Sequence, residues 1–212
     1  MWRSDEWEFC REGPEVVRSV VRGASYPWWM DPRHVQVLYG LAASRLFDEV
    51  LEVGAFQGWS TSALVQALVD GGTFRLTVAD VLITNLLQVV LGHVADRHVL
   101  VGRPGVECIR PGLDLVVLDG DHSAAAVGAE LFACLRCGVS TIVGHDVGLG
   151  DVVGCEGPAL MLASLRALPG WQVLVDDRRR PGEFTERGLM VASTRTDVLG
   201  VARSLFDVCA AD

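Results

Sequence analysis

One stretch constrains the fold of this chain more than any other: an apolar strand that runs into a glycine loop and then into a helix. Residues 50–60 read Val-Leu-Glu-Val-Gly-Ala-Phe-Gln-Gly-Trp-Ser. The apolar run ends at Gly54, and Gly58 stands just before the amphipathic run from Ser60 to Leu68. Glycines there allow a tight turn and a close approach of a ligand to the backbone. The helix start attracts an anion. Because Glu52 adds an acid, the loop suits a ligand with both charges, as an amino acid has.

The rest of the chain alternates strands with helices, which predicts an α/β fold with one doubly wound, mostly parallel sheet. No helix-length segment separates the last two apolar runs, 171–175 and 189–193, so they are expected to pair as a hairpin with one antiparallel strand. Residues 32–212 are predicted to form one domain, preceded by a helical and aromatic segment at 1–31. Within that segment, Trp28, Trp29 and Met30 suit either a lid over a flat ligand or a hydrophobic staple on the core.

Composition excludes several classes of protein. The 212 residues carry a net charge of −9, which argues against binding to nucleic acid. No run of about 18 apolar residues indicates a membrane-spanning helix, and the N-terminus lacks the pattern of a secretory signal. We therefore expect a cytoplasmic protein that binds no membrane, and a homodimer is compatible with the sequence. All 18 basic residues are arginines, so no lysine is present to act as a base.

Acidic residues follow the apolar runs that should form parallel strands, at the edge where open α/β sheets bind ligands. They are Glu52, Asp80, Asp119 with Asp121, and Asp146. Aspartates also cap helices at such turns, but so many acids at one edge favour a cationic partner. An acid at Asp80, after the second strand, can accept the hydroxyls of a nucleoside ribose.

The glycine loop resembles motif I of the class I S-adenosylmethionine-dependent methyltransferases, and most of all that of catechol O-methyltransferase and its relatives. This resemblance implies a seven-stranded sheet with one reversed strand and S-adenosyl-L-methionine as the cofactor. It also implies that Gly54, Gly58 and Ser60 hold the methionine carboxylate, that Glu52 faces the amino end, and that Asp80 binds the ribose. The segment 102–104, Gly-Arg-Pro, departs from the small polar or acidic residue that relatives often have near the adenine.

Two further stretches, 118–123 (Leu-Asp-Gly-Asp-His-Ser) and 144–147 (Gly-His-Asp-Val), resemble strand ends of the metal-dependent O-methyltransferases. These include the catechol and caffeoyl-CoA enzymes and a bacterial group that modifies antibiotics and sugars. The resemblance implies a divalent metal, Mg²⁺ or Mn²⁺, on Asp119, His145 and Asp146. His145 and Asp146 replace an acid–Asn pair, and a nitrogen ligand suits Mn²⁺, Fe²⁺ or Zn²⁺ better than Mg²⁺. Either the metal differs, or His145 lies outside the coordination shell.

His122 occupies the place of the lysine that is thought to deprotonate the substrate in these relatives. Histidine has an ordinary pKa near ~6.5 and can serve as the base, especially where a metal has acidified the hydroxyl. Alternatively, His122 is a helix-start residue that bonds to Asp119 or Asp121.

The function implied is O-methyl transfer to a hydroxyl of a small molecule, such as a sugar or a specialised metabolite, with Asp119 and His122 as catalytic residues. One alternative has no metal: Asp119 and Asp121 contact only the bound ligand, and His122 or His145 alone is the base. Another is a non-catalytic protein that keeps the fold. A nicotinamide oxidoreductase is disfavoured because the loop lacks the third glycine of the dinucleotide fingerprint.

Overall fold

A computed structural model of the chain describes residues 15–18, 30–176 and 187–208, and its central feature is one seven-stranded sheet. The strands are β1 Glu49–Val53, β2 Arg75–Ala79, β3 His98–Val101, β4 Leu115–Leu118, β5 Thr141–His145, β6 Gln172–Asp176 and β7 Leu189–Ser193. Their order across the sheet is β3-β2-β1-β4-β5-β7-β6. The first five strands pair in parallel, whereas β7 runs antiparallel to both β5 and β6. The predicted doubly wound sheet with a reversed strand is confirmed.

Helices cover both faces of this sheet. They are α1 Pro32–Ala43, α2 Trp59–Val69, α3 Asn85–Gly92, α4 Ala124–Arg136, α5 Glu156–Ala167 and α6 Thr196–Val208, with a 3₁₀ turn at Gly105–Glu107. One hydrophobic cluster joins one face of the sheet to α1, α2, α3 and α6, and a second joins the other face to α4 and α5. Strand residues contribute alternately to the two clusters, as successive side chains of a strand must. Burial on both faces explains the continuous apolar runs in the sequence.

Several boundaries differ by one or two residues from the sequence-based expectation. Strand β5 was expected at Val139–Val143 but spans Thr141–His145, and β7 pairs with it as far as the partners His145 and Leu189. The sheet therefore holds the backbone of His145 directly. Helix α5 was expected from Pro158, but it begins at Glu156. Proline is tolerated in the first turn of a helix, where its missing N–H has no partner to lose.

The N-terminal region is described only in part. Asp31 caps α1: its side chain accepts from the backbone N–H of Arg33, and Pro32 follows it. Met30 is 1% exposed and packs in the core. Trp28, Trp29 and the loop at 177–186 lie outside the described residues. No helix among the described residues is long and apolar enough to cross a membrane.

Candidate functional site

A cavity of about 770 Å³ opens at the carboxyl ends of the parallel strands, where the sequence placed the site. Most of the predicted site residues line it: Gly54, Ser60, Asp80, Asp119, Asp121, His122 and Asp146. The remaining three, Glu52, Gly58 and His145, are not part of the lining that the described residues form. The acids that follow separate strands thus surround a shared cleft.

The glycine loop is shaped by two left-handed residues. Gly54 has a φ of 81°, and a Cβ there would collide with the backbone of Asp119 and Gly120. Its lack of a side chain therefore lets the loops after β1 and β4 meet. Gly58, with a φ of 86°, is the N-cap of α2 and has no side chain that could accept from the first amides of that helix. Ser60, which is 2% exposed, faces the cavity in that same first turn. The arrangement provides backbone donors for an anion.

Asp80 holds the glycine loop in place from the end of β2. Its Oδ2 accepts hydrogen bonds from the backbone N–H groups of Ala55 at 2.8 Å and Phe56 at 2.7 Å. Its Oδ1 accepts from the N–H of Leu82 at 2.7 Å. The carboxylate also lines the cavity. Because each carboxylate oxygen can accept more than one hydrogen bond, Asp80 can order the loop and still accept from a ligand's hydroxyls.

Glu52 lies behind the cavity wall. The side chain is fully buried, and its Oε2 accepts from the Thr61 hydroxyl at 2.7 Å, while Oε1 has no hydrogen-bond partner among the described residues. Burial raises the pKa of this carboxyl to about 7, although bonds from the Ser60 and Thr61 hydroxyls act in the opposite direction. Glu52 therefore ties the end of β1 to the start of α2. The sequence-based role, contact with an amino group, stays a prediction.

Three side chains form a compact group at the ends of β4 and β5. Asp119, His145 and Asp146 each offer one ligand atom, and these atoms lie within 4.8 Å of one another. His145 Nδ1 is 3.2 Å from Asp119 Oδ1 and 3.4 Å from Asp146 Oδ1. Asp146 has a φ of 57°, a left-handed conformation that aspartate tolerates. The turn immediately after β5 is thereby built around a strained residue, as functional sites often are.

The group fits a divalent ion. An ion with bond lengths of about 2.1 Å places neighbouring donor atoms roughly 3 Å apart, close to the two distances from His145. Asp146 Oδ1 is buried and makes no hydrogen bond with the described residues, as expected of an oxygen that binds a cation. Two carboxylates with one imidazole suit Mn²⁺, Fe²⁺ or Zn²⁺.

Charge in this group is balanced by the histidines. Burial alone would lower the pKa of His145, but Asp119 and Asp146 outweigh it and raise the pKa to about 10. Burial likewise opposes ionisation of Asp119, but His145 and His122 hold its pKa below the usual value. A third cation approaches from the loop before β7, where Arg187 Nη1 is 3.6 Å from Asp146 Oδ1. Because its raised pKa keeps His145 protonated, a metal that binds to His145 would have to displace a proton from the ring.

His122 lies beside the same group, on the side that faces the cavity. Its Nε2 is 3.5 Å from Asp119 Oδ1 and 3.7 Å from Asp146 Oδ2, and the side chain lines the cavity. The interaction with Asp119 raises the pKa of His122, and Asp146 adds to that effect. Asp121, by contrast, points its Oδ1 to the backbone N–H of Ser123 at 2.8 Å, which lowers its pKa. The structure brings His122 to the acids and leaves Asp121 at the exposed rim.

Sequence reasoning missed a second layer behind this group. His34 from the first turn of α1 contacts His145, and Asp176 at the end of β6 lies near His34. Asp176 carries the same signal as the other acids, since β6 runs parallel to β5 and Asp176 closes an apolar run. No comparable signal marks His34, because helix α1 precedes β1 and its docking on the far end of the sheet is a tertiary event.

The part of the cavity next to β3 is lined by Arg103, Pro104, Gly105 and Val106, with Ala126, Ala129 and Glu130 of α4. The segment that departs from its relatives at 102–104 therefore does contribute to the cavity wall. Glu130 is 6% exposed, and burial raises its pKa to about 7. An acid is thus present in this region, but it comes from a helix rather than from the loop after β3.

Comparison with solved structures gives consistent matches over nearly the whole chain. A putative O-methyltransferase from Klebsiella pneumoniae matches with a TM-score of 0.68 at 17% identity, covering 91% of this chain and 96% of that one. The O-methyltransferase TomG from Streptomyces achromogenes, in complex with S-adenosylmethionine, matches at 0.63 and 18%, covering 91% and 90%. An O-methyltransferase from Bacillus cereus, in complex with S-adenosylhomocysteine, matches at 0.62 and 18%, covering 92% and 93%.

No family model matches the sequence, and the search of curated proteins gives no match either. The structural likeness shows that the chain has the fold of the S-adenosylmethionine-dependent O-methyltransferases.

Proposed function

We propose that the protein is an S-adenosylmethionine-dependent O-methyltransferase that acts on a hydroxyl of a small molecule with the help of a divalent ion. One observation carries the proposal: the glycine loop, Asp80 and the group around Asp119 all open onto a single cavity. A cofactor and an acceptor bound there would meet at the strand ends. Two similar structures contain S-adenosylmethionine or S-adenosylhomocysteine, which supports the choice of cofactor.

The cofactor would extend along the ends of β1 and β2. Its carboxylate would meet the first amides of α2 and Ser60, and its ribose would meet Asp80. Both positions rest on complementary chemistry: the N–H donors of a helix start face an anion, and a carboxylate faces hydroxyl donors. Glu52 would act indirectly, by fixing the turn that presents those amides.

Asp119, His145 and Asp146 would hold the divalent ion, which would lower the pKa of an acceptor hydroxyl. His122, within 4 Å of both aspartates and exposed to the cavity, is placed to take the hydroxyl proton at Nε2. To do so it must be neutral, although Asp119 raises its pKa. A cation bound to the aspartates would oppose that effect and favour the free base. Orientation of the two reactants would supply much of the rate, since it can contribute about 7–11 kcal/mol.

A metal-free reaction is the second candidate, and one observation favours it. His145 lies between Asp119 and Asp146, which raise its pKa to about 10, and Arg187 Nη1 is 3.6 Å from Asp146 Oδ1, so two positive charges face the two carboxylates without a metal ion. His122 alone would then serve as the base. Methyl transfer that survives exhaustive chelation would support this candidate over the metal-assisted one. Failure to methylate any acceptor in a broad panel would instead support a non-catalytic protein that binds the cofactor.

The cofactor site is tested by calorimetry with S-adenosylhomocysteine. We expect binding by the wild-type protein and a loss of about 10- to 100-fold for Asp80→Ala, because that variant removes hydrogen bonds to a charged group worth about 1.5–3 kcal/mol. Asp207→Ala, at an exposed position of α6, is the control and should bind as the wild type does. Equal affinities for all three proteins would contradict the proposed site.

We place this activity in the cytoplasm, with a small-molecule acceptor as the partner. The cysteines at 108, 134, 137 and 155 are free thiols, as expected in a reducing compartment. The absence of nucleic-acid and membrane partners and the homodimer stay predictions from the sequence.

A further inference from the structure

A line of buried polar side chains extends from the proposed metal group into helix α1. His145 Nδ1 faces Asp119 and Asp146, and its other ring nitrogen, Nε2, is 3.1 Å from His34 Nδ1. The two rings meet edge-on, with an interplanar angle of 79°. His34 is 2% exposed and His145 is 1% exposed. Both rings are therefore shielded from bulk solvent.

The line continues beyond His34. His34 Nε2 is 3.9 Å from Asp176 Oδ2, and the same oxygen is 3.5 Å from Arg33 Nη1. Arg33 in turn bonds to Asp31, the cap of α1, with its Nη2 3.1 Å from Asp31 Oδ2. Asp176 is 4% exposed and Arg33 is 6% exposed. Charged groups buried to this degree are costly unless they are paired, so the line is a built feature of the fold.

The direction of the hydrogen bonds along this line can be deduced. A histidine that binds a metal through Nδ1 carries its hydrogen on Nε2. His145 would then donate from Nε2 to His34 Nδ1. His34 must therefore carry its own hydrogen on Nε2, which is the ring nitrogen that faces the Asp176 carboxylate. Each ring nitrogen thus faces a group of the complementary kind.

We propose that His34, supported by Asp176, fixes the ring orientation and tautomer of His145, so that Nδ1 is presented to the ion shared with Asp119 and Asp146. The first turn of α1 is then part of the metal site, although it is far from that site in the sequence. His34 is a positioning residue, since it acts on the ion only through His145. This inference rests on the proposed function, because it requires that these side chains bind a divalent ion.

The test measures Mn²⁺ affinity by electron paramagnetic resonance of the free ion, in wild-type protein and three variants. His34→Leu keeps most of the ring's volume but removes the acceptor. We expect it to weaken Mn²⁺ binding by about 10- to 100-fold, the usual effect of removing a partner of a metal-binding histidine. His34→Asn retains an acceptor near the place of Nδ1 and should bind within about threefold of the wild type. His98→Leu is the control, since among the described residues His98 bonds to a backbone carbonyl, that of Val94, and lies outside the proposed metal group.

S-adenosylhomocysteine affinity, measured on the same samples, should be unchanged in every variant. A wild-type protein that binds S-adenosylhomocysteine but no Mn²⁺ would refute the metal-assisted function itself. A wild-type protein that binds Mn²⁺, with His34→Leu binding equally well, would refute the positioning role alone. Binding by His34→Asn as weak as that of His34→Leu would also refute it, because the acceptor would then be irrelevant.

A spectroscopic readout on the wild-type protein does not depend on the folding of any variant. Two-bond ¹H–¹⁵N correlations distinguish the tautomers of histidine rings, and Zn²⁺ can replace Mn²⁺ without paramagnetic broadening. With Zn²⁺ bound, we expect both His34 and His145 to carry hydrogen on Nε2 only. A hydrogen on Nδ1 of His34 would overturn the proposal.

Discussion

The buried carboxyl of Glu52 is expected to make the stability of the protein depend on pH. The carboxyl is fully buried, one of its oxygens has no hydrogen-bond partner in the part of the chain that the structure describes, and burial raises its pKa from 4.5 to about 7. Each pH unit between the unfolded and folded pKa corresponds to about 1.36 kcal/mol. Ionised Glu52 therefore costs the native state about 3 kcal/mol above pH 7.

Proton linkage determines how this cost changes with pH. The native protein binds this proton more tightly than the unfolded chain does, so the contribution of Glu52 to stability is best below pH 4.5. It falls as the pH rises through the interval from 4.5 to about 7, and the loss is complete above that interval. Glu52→Gln resembles the protonated form and has no such loss. As the pH rises from 5 to 8, the free energy of unfolding of Glu52→Gln should therefore increase by about 2–3 kcal/mol relative to that of the wild type.

The assay is urea unfolding followed by circular dichroism at both pH values, with chelator present and no cofactor. The free energies of unfolding of wild type and Glu52→Gln are compared at each pH, so that all other titrating groups cancel. Glu107→Gln, at an exposed position, serves as the matched control and should show no such gain. A difference between Glu52→Gln and wild type that is the same at pH 5 and pH 8 would refute the reasoning.

Two further predictions concern the cavity. Gly54→Ala should abolish S-adenosylhomocysteine binding in calorimetry and destabilise the fold by more than about 1 kcal/mol, because the left-handed residue touches the backbone of Asp119; Gly128→Ala, in α4 with open space around it, should be neutral or slightly stabilising, and equal effects of the two would contradict this account. His122→Ala should lower kcat by about 10²- to 10⁴-fold in a methyl-transfer assay while Mn²⁺ and S-adenosylhomocysteine still bind, and an unchanged kcat would remove His122 as the base.

The central strands β1, β4, β5 and β7 could be predicted from the sequence because they are buried on both faces. Buried parallel strands read as short apolar runs that end in glycine or aspartate, and β1, β3 and β7 have the predicted bounds. The order of the strands across the sheet could not be read from the runs themselves, because it depends on pairing between strands that are distant in the sequence. Strand β5 was predicted two residues too early, because its last residue is held by pairing with β7, which lies far along the chain.

The sequence predicted only some of the residues that form the candidate site. Residues that follow parallel strands meet at one edge of the sheet by topology, so Asp80, Asp119 and Asp146 could be grouped in advance. The burial of Glu52 behind the loop could not, since that depends on whether α2 packs over its side chain. The role of His34 could not be predicted for a different reason. It contacts His145, which lies 111 positions away in the sequence, and this contact depends on how α1 packs against the sheet.

The most direct test of the central claim is native mass spectrometry of the purified protein and of Asp119→Ala, each incubated with S-adenosylhomocysteine and Mn²⁺. The wild-type protein should carry both the nucleoside and the ion. Asp119→Ala should lose the ion and catalytic turnover but keep the nucleoside, because the glycine loop and Asp80 are unaltered. Loss of the nucleoside together with the ion, or retention of the ion by the variant, would contradict the account of two adjoining sites in one cavity.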